Sequence, residues 1–193
     1  MIKVEGFMKG YIIIGVIIFI AILLVIYIIR AYNKLVKRLN RVKTQWAQID
    51  VQLTRRADLI PNLLETVKGY ASHEKEIFEK VTLARNALES ASSPTQAITA
   101  NDQLSSQLLR LVAVAEAYPD LKANTNFIDL QVSLKETEYK IAYARQFYND
   151  TVLIYKDMLH QFPSNIIGKV FNFKDESFFI PTEDKKADMK INL

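Results

Sequence analysis

Residues 10–29 form an unbroken run of twenty uncharged positions, mostly Ile with Val, Leu, Phe and Ala. At ~1.5 Å rise per residue, a helix of that length crosses a hydrocarbon core of ~30 Å. Tyr11 and Tyr27 stand near its two ends, where amphipathic rings suit the headgroup layer. The run is longer than an ordinary signal-peptide core, and no small-x-small cleavage site follows it. The pattern therefore predicts an uncleaved transmembrane helix.

Beyond the span the pattern changes from uniformly apolar to periodic. Leu35, Leu39, Val42, Trp46, Ile49 and Leu53 alternate at spacings of four and three, and Ala57, Ile60, Leu64 and Val67 extend the stripe. Such a stripe marks one buried helix face, close to a coiled-coil seam. Pro61 lacks a backbone donor and is expected to kink or interrupt this first helix. A second helix is expected to start at Ser72 as N-cap and to turn Ile77, Val81, Ala84 and Leu88 inward. A third opens on a capping box, with Ser93 as cap, Pro94 at the first helical position and Gln96 closing the box. Its stripe runs through Ala97, Leu104, Leu108, Leu111, Ala115 and Tyr118, and Pro119 should stop it. The fourth has the strongest pattern: Phe127, Leu130, Leu134, Thr137, Ile141, Ala144, Tyr148, Val152, Tyr155, Leu159 and Phe162 keep near-heptad spacing. Pro163 ends it, and a short helical turn through Ile166, Ile167 and Val170 follows. After Phe173 the chain reads as extended or loosely ordered.

These elements predict an all-α protein: an N-terminal transmembrane helix, then an antiparallel four-helix bundle with long first and last helices. The expected divisions are 1–9 as a short outer N-terminus, 10–29 as the span, 30–173 as the bundle and 174–193 as a tail.

Composition narrows the chemistry. Five Gly and five Pro in 193 residues leave room for long helices. The absence of Cys excludes disulfides, thiolate metal sites and a thiol nucleophile. The net charge of +4 is local in origin. Residues 30–43 carry +6 with no acid, the first nine carry +1, and residues 44–193 are left at −3. The high isoelectric point is thus a patch beside the membrane, and a nucleic-acid partner is not expected. Lys34, Lys37, Arg38 and Arg41 share roughly one side of a helix and, with Arg30, are the candidate contacts to the bilayer and its anionic headgroups. Six basic residues after the span against two before it place the C-terminal side in the cytoplasm, at the plasma (inner) membrane.

Catalytic constellations are not apparent. His73 and His160 lie in different elements, and there is no metal-binding His pair, Gly-rich phosphate loop or nucleophile elbow. No enzyme, cofactor or metal site is expected. Two polar clusters interrupt the apolar pattern: Arg55, Arg56, Asp58 and Asn62 around Pro61, and Asn126, Gln131, Glu136, Glu138, Arg145 and Asn149 on the last long helix. The candidate interaction or polar-layer residues are Arg55, Asp58, Asn62, Asn126, Gln131, Glu138, Arg145 and Asn149. They either pair as a layer that fixes helix register, face water, or line a ligand or docking surface.

Two segments carry a family resemblance. Residues 55–74 (RRADLIPNLLETVKGYASHE) and 124–155 (NTNFIDLQVSLKETEYKIAYARQFYNDTVLIY), followed by Phe162-Pro163-Ser164-Asn165, closely resemble the signature segments of the bacterial LemA family. With the span and its basic flank, the resemblance covers residues 10 to about 173. It implies a membrane-anchored helical bundle with a cytoplasmic domain and supplies no catalytic residue. It further implies association with membrane-bound heat-shock zinc proteases or with organelle-shaping membrane proteins. The functional expectation is a non-enzymatic scaffold or adaptor that self-assembles or docks on a membrane protease. The alternative is a membrane-tethered sensor or ligand-binding module.

Overall fold

A computed structural model describes the backbone of residues 2–180 and the side chains from Tyr11 onward. The predicted outer N-terminus (1–9) and most of the predicted tail (174–193) thus lie outside the described residues, in side chains or altogether. Among the described residues the protein is all-helical, with six helices and no strand: α1 Ile2–Lys68, α2 Lys75–Glu89, α3 Pro94–Ala115, α4 Pro119–Lys122, α5 Thr125–His160 and α6 Ser164–Val170. They group into two compact units. One takes α1 as far as Arg41 together with Leu153–Glu176, and the other takes Val42–Val152 with the segment from Ser177 on.

In the first unit, α1 opens with the apolar run. Tyr11 through Ile29 is exposed almost throughout, and its most apolar window has a mean hydropathy of 3.5 with no residue buried. Among the described residues nothing covers it, and an apolar surface of that size calls for a lipid or protein cover. It is the one candidate membrane span among the described residues. Past it, Ala31 and Leu35 turn inward, and Tyr155, Leu159 and Ile167 are buried in the same unit. Gly168 allows α6 to close on α5, because a Cβ there would lie 2.5 Å from Leu159 Cδ1. The helix ends in a Schellman motif: Asn172 takes the left-handed conformation (φ 55°) and the Phe173 N–H donates to Gly168 O at 2.9 Å. Residues 173–176 have no regular secondary structure but are fastened. The Tyr155 hydroxyl donates to Lys174 O at 2.7 Å, and Asp175 accepts from Lys156 (3.4 Å) and His160 (3.1 Å). Phe162, expected inward, is 80 % exposed, since α5 ends at His160 and the chain turns before reaching it.

The second unit buries most of the expected stripes, with Ile49, Leu53, Ile60 and Val67 of α1, Val81 of α2, Leu104 and Leu111 of α3, and Ile141 and Tyr148 of α5 inside, while Trp46, Tyr118, Leu130, Leu134 and Ala144, expected inward, are only half-buried. The termini show where local signals were modified. Residues 69–74 form turns over the buried Ala71, so α2 starts at Lys75 after Glu74, and Ser72 caps nothing. At α3, Ser93 Oγ accepts from the Gln96 N–H at 3.3 Å as the capping box requires. The return arm is shifted by one residue, with Gln96 Oε1 taking the N–H of Ser92 at 2.9 Å. Pro119 opens the four-residue α4, and α3 has already ended at Ala115. The residue before a proline is pushed toward extended backbone, and Tyr118 has φ −118°, ψ 92°. Asn124 Oδ1 receives the Phe127 N–H at 3.0 Å and so caps α5.

The expected interruption at Pro61 does not occur, and α1 continues seven residues beyond it to Lys68. Proline cannot donate to the carbonyl four residues back, which leaves the Ala57 oxygen without its helical partner. Arg85 of α2 supplies the replacement: its Nε donates to Ala57 O at 3.0 Å. An inter-helix guanidinium therefore takes the place of a main-chain hydrogen bond.

Candidate functional site

The polar clusters meet the core at Arg56. Positions 49, 53, 56, 60, 63 and 67 alternate at four and three along α1, which puts Arg56 on the buried seam, 5 % exposed. Its Nη1 donates to Asn101 Oδ1 of α3 at 2.6 Å and to Glu138 Oε2 of α5 at 2.8 Å. Its Nε is buried without a partner. Burial depresses the Arg56 pKa below the usual guanidinium value, against the opposing charges of Glu138 and Asp102. A guanidinium nonetheless stays protonated at any pH where the fold exists. Arg56, Asn101 and Glu138 thus tie three helices together through one cation. Glu138 is about half exposed, so water shares its charge and the pair is only partly desolvated.

Beside this cation runs an apolar groove of about 570 Å³ between α3 and α5, walled by Leu108, Leu109, Val112 and Leu134 with Gln131 and Lys135 at its margin. The other sequence candidates are placed elsewhere. Asn62 and Asn126 line a shallow polar hollow of about 530 Å³ with Asp129 and Thr66. Arg55 and Asp58 are exposed on α1. Lys140 donates to Glu136 and, with a smaller contribution from Arg55, holds that carboxyl below its usual range. Arg145 and Asn149 belong to a third place. The Arg145 guanidinium lies 5.9 Å from the Phe179 ring centre, and Asn149 exchanges two hydrogen bonds with the Phe179 backbone (2.8 and 3.0 Å). Tyr148 donates to Ser177 O at 2.9 Å, and its ring packs with Trp46, which also faces Phe179. Phe179 is 2 % exposed, so an extended segment expected to be loose is stapled onto its unit.

The eight candidates therefore fall in separate places rather than in one pocket. Glu138 alone enters the buried cation cluster, with Gln131 beside the groove. Sequence reasoning passed over Asn101, whose signal was its place in the α3 stripe between Ala97 and Leu104, and Arg85, which carries none until Pro61 is seen to sit mid-helix. Among the described residues no group of three metal-ligating side chains gathers.

Of the basic residues after the span, Arg30, Lys34, Lys37 and Arg41 are exposed and Arg38 is half-buried. Counting ~1.5 Å per residue from Ile29, Lys34 stands ~7 Å beyond the apolar run and Arg41 ~18 Å.

The chain's likeness to known proteins agrees with this architecture. The LemA family model matches residues 45–193. "Protein LemA" of Metamycoplasma hominis is 23 % identical, over 95 % of this chain and 84 % of that protein. "Magnetosome protein MamQ 2" of Paramagnetospirillum magneticum is 25 % identical, over 86 % of this chain and 69 % of its own length. "Magnetosome protein MamQ" of Magnetospirillum gryphiswaldense is 22 % identical, over 77 % and 64 %. With the uncovered apolar helix, these relatives suggest a membrane-associated protein whose biochemical role is poorly defined. On the family model, which spans most of the sequence and takes in α2 through α6, the chain belongs to the LemA family.

Proposed function

We propose that this protein is a non-enzymatic scaffold anchored in the plasma membrane by one helix, with its helical unit in the cytoplasm. In this reading α1, α2, α3 and α5 form an antiparallel four-helix bundle, supported by the short connections between them and by the Arg56 and Arg85 cross-links. The cytoplasmic side is argued from the basic flank after residue 29.

The observation that carries the scaffold reading is a second apolar stripe on α5, opposite its core face. Ile128, Val132, Tyr139, Tyr143 and Phe147 are 43 to 66 % exposed. At 100° per residue they fall within about a quarter-turn of the helix. Tyr143 and Phe147 already pack edge to face at 4.7 Å. Large aromatic side chains desolvated in the middle of a patch dominate interface energetics. A second copy is the occupant we favour. The stripe is bordered by the neutral pair Glu136–Lys140, which gives no single-signed field to select a charged partner. A shared anchor also holds copies at high effective concentration, and a two-fold interface needs only one self-complementary patch.

The test is purification from native membranes in mild detergent, with particle mass and co-purifying proteins measured. A multimer of this chain alone that Tyr143→Glu reduces to monomer supports the scaffold. A stoichiometric second protein, such as a membrane protease, would make it an adaptor, and a monomer with no companion refutes both. The α3–α5 groove beside Arg56 favours a second reading, a membrane-tethered ligand-binding module. Native mass spectrometry would then find a retained small molecule that Leu109→Glu releases.

A further inference from the structure

The first unit exposes several apolar side chains on and beside α6 that its fold does not require. On α6, Ser164, Ile167 and Gly168 are buried, whereas Ile166 (51 % exposed) and Val170 (71 %) lie four residues apart on the outer side. Phe162, just before the helix, is 80 % exposed, and Phe171, just after it, is 48 % exposed. Lys169 shares the outer side with Ile166 and Val170 by helical spacing. Seven residues make a helix too short to persist alone. This one is held by the buried Ile167, by the Schellman motif at Asn172, and by the Ser164 hydroxyl, which donates to Gln161 O at 2.9 Å.

Its position is fixed by Tyr32. The Tyr32 ring packs against Phe171 at 4.8 Å and Phe173 at 5.7 Å, centre to centre. Tyr32 is three residues past Ile29, or ~4.5 Å along the helix axis, and side chains lean toward the helix N-terminus, here toward the apolar run. A headgroup layer is ~5–8 Å deep on each side. Given the reading of residues 10–29 as a membrane span, on which this argument rests, the ring contact falls inside that layer. We infer that α6 and its flanks are a second membrane contact, an interfacial element that seats Phe162, Ile166 and Val170 at the boundary of headgroups and acyl chains beside the emerging span.

The chemistry suits that depth. Amphipathic interfacial helices sink their apolar face ~5–10 Å, and aromatic rings concentrate at this boundary. A Lys among them keeps its stem in the apolar layer while its ammonium reaches the phosphates. Arg30 at the end of the span adds a second cation. The nearest acid on the flank, Asp175, is engaged by Lys156 and His160. The occupant is therefore a lipid surface, with an anionic one preferred.

The chain has no Cys, so one label can be placed at will. Full-length protein carrying Val170→Cys or, separately, Leu24→Cys is labelled with an environment-sensitive fluorophore. Each is reconstituted into phosphatidylcholine–phosphatidylglycerol vesicles holding a nitroxide either at the headgroup or deep in the acyl chain, and Trp46 emission verifies the fold. The expected result is quenching of the label at 170 by about twofold with the headgroup nitroxide, and of the label at 24 with the deep one. A label at 170 that no nitroxide reaches, while the label at 24 is quenched, overturns the inference and leaves the span standing; a blue-shifted but unquenched label at 170 would mean a protein cover instead. A label at 24 that no nitroxide reaches overturns both.

Discussion

Replacing Arg85 tests whether α1 survives Pro61 because another helix completes its hydrogen bonding. Ala57 is 1 % exposed, so its carbonyl loses a partner at a buried position once the guanidinium is gone. A buried acceptor left unpaired costs ~1–3 kcal/mol, and hydrogen bonds to charged groups contribute ~1.5–3 kcal/mol net. Arg85 is about one quarter exposed, which places the loss in Arg85→Met near 2 kcal/mol. Part of any loss belongs to the Glu89 ion pair, an i,i+4 contact contributing ~0.3–0.5 kcal/mol. In a Pro61→Ala background the new N–H at position 61 can bond to Ala57 O, so the same Arg85→Met change should cost only that smaller amount. The coupling between the two sites is then ~1.5 kcal/mol. Urea unfolding of the full chain in mild detergent, followed by Trp46, measures it, because that residue is the sole Trp and lies in the same unit between the Tyr148 and Phe179 rings. Additivity of the two substitutions within ~0.4 kcal/mol would refute the reasoning.

Three further outcomes follow from the same geometry. Phe179→Ala should cost ~3 kcal/mol, from lost burial and lost aromatic contacts, and should shift Trp46 emission to the red; an unchanged spectrum would mean the clasp is not formed in solution. Glu138→Gln removes the carboxylate charge beside the Arg56 cation while keeping an oxygen that can accept its hydrogen bond, and should destabilise by ~1–2 kcal/mol, below the ~3–5 kcal/mol of a fully buried pair because Glu138 is half exposed; Arg56→Met should remove that sensitivity in a double-mutant cycle. The Tyr155 phenol is pushed up to about 12 by burial and by the nearby Glu176 and Asp175 charges, so its neutral form is the one the fold favours. Its contribution is whole below pH ~10 and is lost as pH rises through the raised value, at up to ~1.4 kcal/mol per pH unit; Tyr155→Phe should flatten thermal stability across that window.

The sequence by itself determined the elements whose signal is one-dimensional. A run of twenty uncharged residues and a three-four alternation need no partner to be recognised, and the long apolar N-terminal helix, the existence of the other long helices and the Ser93 cap on Gln96 follow from periodicity and capping chemistry. Family membership was legible for the same reason, since contiguous segments carried it. What only the tertiary structure decided involves groups satisfied by distant residues. Pro61 reads as a break because a lone helix cannot repair the missing bond, yet Arg85, 28 residues away from Ala57, repairs it. Arg55 and Arg56 are adjacent and alike in sequence, but 100° of helical turn puts one in water and the other among Asn101 and Glu138. Phe179 is one of a few apolar positions in a charged tail and nothing marks it as anchored until Asn149, 30 residues earlier, takes both its backbone groups. Hydrogen bonds and ion pairs of this kind depend on which surfaces meet, and local propensity carries no record of that.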